Sequence, residues 1–256
     1  MKNFDDVTIC IKSFEREACI NRIISQLRSY GCTMRIIVAD DSHNPITIIG
    51  ADTLLKLPFN VGLSAGRNRM VEAVDTKYFI LLDDDNTIYS KTNFELMYNT
   101  ISTTSFNIVG GQMGRRWFNG VVAIDEDNRM FEYHTAWRAV EEGHKVIDYC
   151  DNFFMAETQT VLDNPWDESI KIAWEHIDFF VQGKASGDFK VCRVRSYVGD
   201  DQVVIPKDKR GFYNKYRYKR ELNKQLFYAK WNLDKVYADK QAILRPIHTL
   251  RVDGRL

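Results

Sequence analysis

A short apolar run that ends in three acids constrains the fold of this chain more than any other stretch. Residues 78–82, Tyr-Phe-Ile-Leu-Leu, favour β structure and predict a buried strand. Asp83, Asp84 and Asp85 follow without a break. Three like charges at the end of a buried strand repel one another and resist desolvation, so the arrangement favours a bound cation.

Strand alternation predicts how these acids share that cation. If the alternation continues past residue 82, Asp83 and Asp85 lie on one side of the strand and Asp84 on the other. An Asp-x-Asp pair of hard oxygen ligands suits Mg²⁺ or Mn²⁺ together with substrate phosphates. The alternative is a simple acidic turn in which Asp85 caps the next element.

The composition is that of an ordinary globular protein. At 256 residues, with 45% hydrophobic and 27% charged residues, the chain has ample length for a core. Lys plus Arg and Asp plus Glu number 35 each, so no overall field favours nucleic acid as a partner.

Cysteine usage and hydropathy bear on the compartment. The five cysteines are odd in number and scattered, with no Cys-x-x-Cys pair, which favours reduced thiols over disulfides or zinc. No apolar leader and no run of roughly 18 apolar residues is seen, so no transmembrane segment is expected. We therefore expect a cytoplasmic protein. Peripheral contact with a membrane remains open.

The first hundred residues alternate strand and helix signals. Strands are predicted at 7–11 and 35–39, with a helix between them at 18–30 and another helix ending near residue 74. Such βα units predict a parallel α/β sheet, and ligands of these sheets gather at the carboxyl ends of the strands.

The loop and helix start at 61–68 carry a second candidate binding feature. Its small residues allow a close backbone approach, and Arg67 stands at a helix start, which suits a diphosphate. The alternative is that Arg67 pairs with a nearby acid.

The later elements complete one continuous domain. The patterns predict helices at 93–103 and 173–182, strands at 107–111, 151–156 and 189–198, hairpins at the sheet edge within 112–146, and a mixed-charge helix at 212–235. We predict a catalytic domain at 1–205, with a nucleotide-binding half at 1–110 and an acceptor half at 111–205. Residues 206–256 form a C-terminal helical extension of it.

Seven short segments in this order resemble a known family. They are 38–42, 57–59, 65–68, 76–85, 109–111, 152–154 and 176–180. Together they resemble the inverting GT-A glycosyltransferases, and among these the ganglioside-type N-acetylgalactosaminyltransferases. The resemblance spans most of residues 7–201. It implies a GT-A fold, which is a Rossmann-like α/β fold with a mixed, mostly parallel sheet flanked by helices.

The resemblance also implies roles at the nucleotide. Asp40 would accept the uracil N–H of a UDP-sugar, while Lys12 and Ser13 would flank the base. Arg67 would touch the diphosphate, and Asp84 would lie beside the nucleotide.

For the metal, Asp83 and Asp85 would bind Mn²⁺ or Mg²⁺, with Asp85 the more direct ligand. Members of the family commonly add a His after the last sheet strand. This chain has Asp200 and Asp201 there, so we expect Asp201 as a further ligand.

The general base is expected at the start of the helix at 173–182. Family members use the last acid of a Glu-Asp pair, whereas this chain reads Glu175-His176. Glu175 and Asp178 lie three apart on one helix face, with His176 about 100° away. Glu175 is the first candidate, Asp178 the second, and His176 holds the aligned position.

The expected function is metal-dependent, inverting transfer of a sugar from a UDP-sugar to a glycan or glycolipid acceptor. The alternatives are a retaining transferase or nucleotidyltransferase on a similar sheet, and an inactive GT-A module that binds sugar.

Overall fold

The structure is a computed structural model that describes residues 1–44, 46–114, 118–200, 211–212, 214–216 and 220–239. Its strands are β1 (Val7–Ser13), β2 (Arg35–Asp40), β3 (Thr53–Lys56), β4 (Tyr78–Asp83), β5 (Asn86–Thr87), β6 (Ile108–Met113), β7 (Gly120–Ile124), β8 (Arg129–His134), β9 (Val140–Glu141), β10 (His144–Ile147), β11 (Phe154–Glu157), β12 (Val191–Asp200) and β13 (Lys235–Asp239). Its helices are α1 (Glu17–Ser29), α2 (Leu63–Glu72), α3 (Phe94–Thr103), α4 (Thr158–Asp163), α5 (Glu175–Ser186) and α6 (Arg220–Trp231).

The main sheet is mixed, with a parallel half. Its strand order is β3-β2-β1-β4-β11-β6-β12-β10-β9, and β3, β2, β1 and β4 are all parallel. β11 runs antiparallel between β4 and β6, and β6 is parallel to β12. This arrangement confirms the predicted α/β sheet and its helical layers.

The sheet is buried on both faces, which explains why β4 is apolar without alternation. Phe79 and Leu81 face one core cluster with α2, α5 and α6, while Ile80 and Leu82 face the other with α1 and α3. The sequence of helix α1 explains where it begins, which face it buries and where it ends. Its buried residues recur at helical spacing, Glu17 lies in its first turn, and Gly31 follows its end with a φ of +77°.

The middle region corrects one expectation. The predicted hairpin exists as β7 and β8, but with β13 it forms a separate three-stranded sheet. Only the short pair β9 and β10 extends the edge of the main sheet. The reason is that the face of this hairpin carrying Val122, Ile124 and Met130 packs on the core.

The C-terminal helix also ends earlier than predicted. α6 stops at Trp231, where Asn232 has a φ of +50°, and Lys235 already belongs to β13, which pairs in parallel with β8. β3 and α4 were not predicted at all, since each is only a few residues long. None of the helices in the described ranges combines the length and apolar character that a membrane crossing requires.

Candidate functional site

Three parallel strands end at one level and define what we call the carboxyl edge of the sheet. Ser13 of β1 is in register with Asp40 of β2, and Lys12 is in register with Asp83 of β4. The parallel register therefore brings together predicted site residues that are up to 71 positions apart in the sequence.

Lys12 and Asp41 form a buried ion pair at the carboxyl edge. The Lys12 ammonium contacts the Asp41 carboxylate and donates to the Ser13 carbonyl oxygen at 2.6 Å. Burial lowers the pKa of Lys12, and Asp41 opposes that shift. The Lys12 side chain passes directly over Gly66 of α2, where a Cβ would stand 2.2 Å from the Lys12 Cε. Any larger residue at position 66 would therefore force the Lys12 side chain to move.

Asp40 is buried with one oxygen left for a ligand. Its Oδ1 accepts hydrogen bonds from the Ser42 hydroxyl at 2.6 Å and the Ser42 backbone N–H at 3.3 Å. Within the described residues, Oδ2 accepts none. Burial raises the pKa of Asp40, whereas the Ser42 hydrogen bond and the Lys12 charge act in the opposite direction.

The three acids do not alternate as strand geometry predicts. β4 ends at Asp83, and Asp84 and Asp85 form a turn that the Asn86 side chain closes by accepting from the Asp83 N–H at 2.9 Å. Asp84 and Asp85 both accept from Nη1 of Arg16, each at 2.8 Å. A turn in place of a strand at this point lets two neighbouring side chains converge.

Arg16 was not among the residues predicted from sequence. It lies between β1 and α1, so it reaches the carboxyl edge from the β1 side. The available signal was a basic residue in a loop that follows a strand of this edge.

The site oxygens differ in accessibility. The side chains of Asp83 and Asp85 are 22% and 15% exposed, whereas that of Asp84 is 4% exposed. Asp200, at the end of β12, pairs with Asn86 next to the acids. Asp201 lies outside the described residues. Among the described residues, no three His, Cys, Asp or Glu side chains are placed to share a metal.

Arg67 joins the acid strand to the candidate base. Its side chain is fully buried, with Nη2 3.3 Å from Asp83 Oδ1 and Nη1 3.3 Å from Glu175 Oε1. The guanidinium carbon lies 5.7 Å from the centre of the Trp166 ring. The structure thus shows Arg67 paired with acids, and its contact with a diphosphate stays a prediction.

Helix α2 also holds the segment that leads into α5, which we call loop 164–174. The Asn68 side chain donates to the Trp166 carbonyl at 2.9 Å and accepts from the Trp166 N–H at 3.0 Å. The Ser64 hydroxyl donates to the Ile170 carbonyl at 2.6 Å, and the Leu63 N–H donates to the Lys171 carbonyl at 2.9 Å. α2 therefore fixes the backbone just before Glu175.

The first turn of α5 carries the three base candidates in different surroundings. Glu175 is buried and faces Arg67. His176 is buried between the rings of Phe118 and Phe180, and its Nε2 donates to the Cys150 carbonyl. Burial lowers the pKa of His176 to about 3, and the Arg67 charge acts in the same direction. These contacts weigh against His176 as a base.

Asp178 faces the C-terminal helix. Its Oδ1 accepts from the Trp231 indole N–H at 2.7 Å and its Oδ2 from the Lys230 ammonium at 2.8 Å. Burial raises the pKa of Asp178, and Lys230 opposes that shift. Both oxygens hold α6 against α5, which weighs against Asp178 as the base.

A cavity of about 150 Å³ opens beside the Lys12–Asp41 pair. Lys171 of loop 164–174 lines it, together with Leu222 and Asn223 of α6. The Asn223 side chain donates to the Ile172 carbonyl at 2.7 Å and so ties α6 to that loop. The carboxyl edge, the loop and the C-terminal helix therefore enclose space for a ligand.

A divalent cation at the carboxyl edge would have to share Asp85 with Arg16. Removing Arg16 with the Arg16→Gln substitution should raise Mn²⁺ affinity roughly tenfold, or about 1.4 kcal/mol, because Arg16 neutralises Asp84 and Asp85. Titration of free Mn²⁺ by electron paramagnetic resonance, without nucleotide, measures this. Arg22→Gln is the control, since Arg22 donates to the Asp85 backbone oxygen. Unchanged or weaker Mn²⁺ binding in Arg16→Gln would contradict the prediction.

The sequence is similar to those of known N-acetylgalactosaminyltransferases. Over 185 residues the chain is 28% identical to β-1,4 N-acetylgalactosaminyltransferase 2 of Mus musculus, covering 69% of this chain and 36% of that protein. It is 28% identical over 197 residues to β-1,4 N-acetylgalactosaminyltransferase 1 of Homo sapiens, covering 70% and 36%. The chain thus spans about a third of the length of these relatives.

A solved structure supports the fold. The crystal structure of S. aureus TarS 1-349 superposes with a TM-score of 0.53 at 13% identity, covering 90% of this chain and 66% of that chain. This confirms the GT-A fold. The family model described as "Glycosyl transferase family 2" matches residues 8–158, which is more than half of the chain. The chain therefore belongs to glycosyl transferase family 2.

Proposed function

We propose that this chain transfers a sugar from a UDP-sugar to a hydroxyl of a glycan or glycolipid acceptor, with inversion and with a divalent cation. The observation that carries the proposal is the chain of contacts from Asp83 through Arg67 to Glu175. It links an acidic strand end, suited to a metal-bound diphosphate, to a separate carboxylate suited to deprotonate an acceptor.

Asp40 is the residue that we assign to the nucleotide base. Its Oδ2 is unused within the described residues, so it can accept the N3–H of uracil. A site built around that hydrogen bond discriminates strongly against bases that lack the donor. Lys12 and Ser13 lie beside it in register, where they flank the base.

We expect UDP to stabilise the protein more than CDP or GDP does. Cytosine has no N3–H, and guanine presents its N1–H from a larger ring system, at a different distance from the ribose. Thermal-shift measurements with each nucleotide and Mn²⁺ test this, and Asp40→Asn should remove the preference. Greater stabilisation by GDP than by UDP would refute the nucleotide assignment.

Asp83 and Asp85 are assigned to the metal. Their partly exposed carboxylates are hard oxygen donors, and two such donors plus phosphate oxygens suit Mg²⁺ or Mn²⁺. When bound, the cation supplies Lewis-acid stabilisation of the negative charge that develops on the departing UDP. Asp84 stays buried with Arg16 and supports the turn. Asp201 remains a predicted further ligand.

Glu175 is assigned as the general base. Among the three α5 candidates, Glu175 contacts Arg67, which also contacts Asp83 of the carboxyl edge. Asp178 instead holds α6, and His176 holds the Cys150 carbonyl. A base that takes the acceptor proton from across the sugar directs attack opposite UDP, and the product is inverted. Glu175 lies in the first turn of α5, where the helix dipole is favourable to a negative charge.

The donor sugar is best tested among N-acetylhexosamines first. The names of the mouse and human relatives support N-acetylgalactosamine as the leading choice. Hydrolysis of UDP-linked GalNAc, GlcNAc, Gal, Glc and glucuronic acid with Mn²⁺ ranks the donors. Proton NMR of a transfer product then gives the anomeric configuration. A product with retained anomeric configuration would refute inversion. The absence of turnover with all five donors would refute the transferase proposal.

A further inference from the structure

We propose that Arg67 is a positioning residue, which holds the Glu175 carboxylate for the acceptor and does not itself bind the donor diphosphate. The inference deepens the proposed function and rests on it. It reassigns a residue that the sequence places at a phosphate.

The first argument is accessibility. Arg67 lies on α2 with its side chain 0% exposed, and both terminal nitrogens are already directed at carboxylates. A diphosphate would have to displace Asp83 or Glu175 to reach it. Displacing Glu175 would take a cation away from a buried carboxylate, which is costly.

The second argument is the geometry of the pair. Arg67 contacts the last residue of β4 and the first residue of α5, so it spans the two elements that must be held at a fixed separation. The indole of Trp166 lies beside the guanidinium, and that indole stacks on Phe179 of α5 at a centroid distance of 4.1 Å. Trp166 and the two acids thus restrict where the guanidinium can lie.

The third argument is that the neighbouring residues of α2 serve the same purpose. Asn68, Ser64 and Leu63 bind the backbone of loop 164–174. The carbonyl and Cβ of Lys171 lie against Gly62, whose φ of +103° suits glycine. Contacts from the first two turns of α2 therefore fix the segment before α5, and Arg67 extends this from the backbone to the reactive side chain.

The fourth argument is electrostatic. Glu175 is 4% exposed, and burying a carboxylate charge costs free energy unless a cation or hydrogen bonds compensate it. Arg67 lies 3.3 Å from Glu175 and supplies such a cation. The same contact therefore both orients Glu175 and offsets the cost of burying its charge.

The test compares Arg67→Met with Arg67→Lys and with the control Arg69→Met. Arg69 lies on the same helix, but it is exposed and pairs with Glu72 and Glu168. Each variant is assayed for kcat of sugar transfer, for UDP affinity by calorimetry with Mn²⁺, and for thermal stability.

We expect Arg67→Met to lower kcat roughly 10²-fold, because a displaced base loses its near-attack geometry, while UDP affinity stays within about twofold. Arg67→Lys should recover part of kcat, since it keeps the charge but not the two-pronged geometry. Arg69→Met should match the wild type. In a Glu175→Gln background, Arg67→Met should have no further effect on kcat.

Results that contradict the role of Arg67 can be told apart from results that contradict the proposed function. Loss of UDP affinity in Arg67→Met, with folded protein, would show that Arg67 binds the diphosphate and overturns the inference. A full further loss of kcat in the Glu175→Gln background overturns it as well. If Arg67→Met does not fold, Arg67→Lys is measured instead. A lowered kcat with unchanged UDP affinity supports the inference, and a lowered UDP affinity overturns it. Absence of wild-type turnover with every donor would instead overturn the proposed function.

Discussion

Glu175→Gln is expected to lower the rate of sugar transfer by roughly 10²–10⁴-fold and to leave UDP affinity nearly unchanged. Glutamine keeps the shape of the side chain and its contact with Arg67 but cannot take the acceptor proton. Single-turnover transfer assays and calorimetry with UDP and Mn²⁺ measure the two quantities separately. The size of the loss reflects proton transfer in the chemical step and not donor binding.

The matched control for this substitution is Glu72→Gln. Glu72 ends α2, is exposed and pairs with Arg69 at the surface, so its substitution should be without effect on turnover. His176→Ala and Asp178→Asn extend the comparison to the other two candidates. If Glu175→Gln keeps near-native turnover and either of these variants loses it, the assignment of the base moves to that residue.

Asp178→Ala should destabilise the protein by about 1.5–3 kcal/mol, the range for losing hydrogen bonds to a charged group. The substitution removes the carboxylate that accepts from the Trp231 indole and one of the two carboxylates that contact the Lys230 ammonium, both on α6. α6 also carries the buried Phe227, which stacks near Trp174 just before α5. Urea denaturation followed by tryptophan fluorescence measures the free energy of unfolding.

Asp167→Ala provides the control for this second prediction. Asp167 also contacts the Lys230 ammonium, at 3.0 Å, but its side chain is 29% exposed. Its loss should change the free energy of unfolding by less than about 1 kcal/mol, because water screens an exposed pair. Equal effects of the two substitutions would show that Asp178 does not anchor α6. Normal stability of Asp178→Ala with lost turnover would return Asp178 to the catalytic candidates.

The core strands of the sheet were predictable because they are specified locally. The apolar run of β4 predicts a strand, and the spacing of apolar residues in α1 predicts a helix. Polar residues at the end of a predicted strand indicate the carboxyl edge of the sheet. Parallel register then follows from the βα order. For this reason Lys12, Ser13, Asp40 and Asp83 could all be placed at one edge from the sequence, as the structure confirms.

Short elements and sheet membership were not predictable in the same way. β3 and α4 are too short for periodicity to identify, and β13 follows a helix whose polar, mixed-charge pattern gave no sign of where it ends. Whether the β7–β8 hairpin extends the main sheet or pairs with β13 depends on which surfaces are left to bury. Local propensity carries no information on that choice.

The sequence by itself determined which chemical groups this protein carries and at which edge of the sheet most of them lie, because strand ends are local features. Only the tertiary structure decided their partners. Arg16 pairs with both Asp84 and Asp85, and Arg67 pairs with both Asp83 and Glu175. Asp178 accepts hydrogen bonds from two side chains of α6. These pairings connect residues far apart in the sequence, and a buried charge takes whichever opposite charge the packing brings within reach.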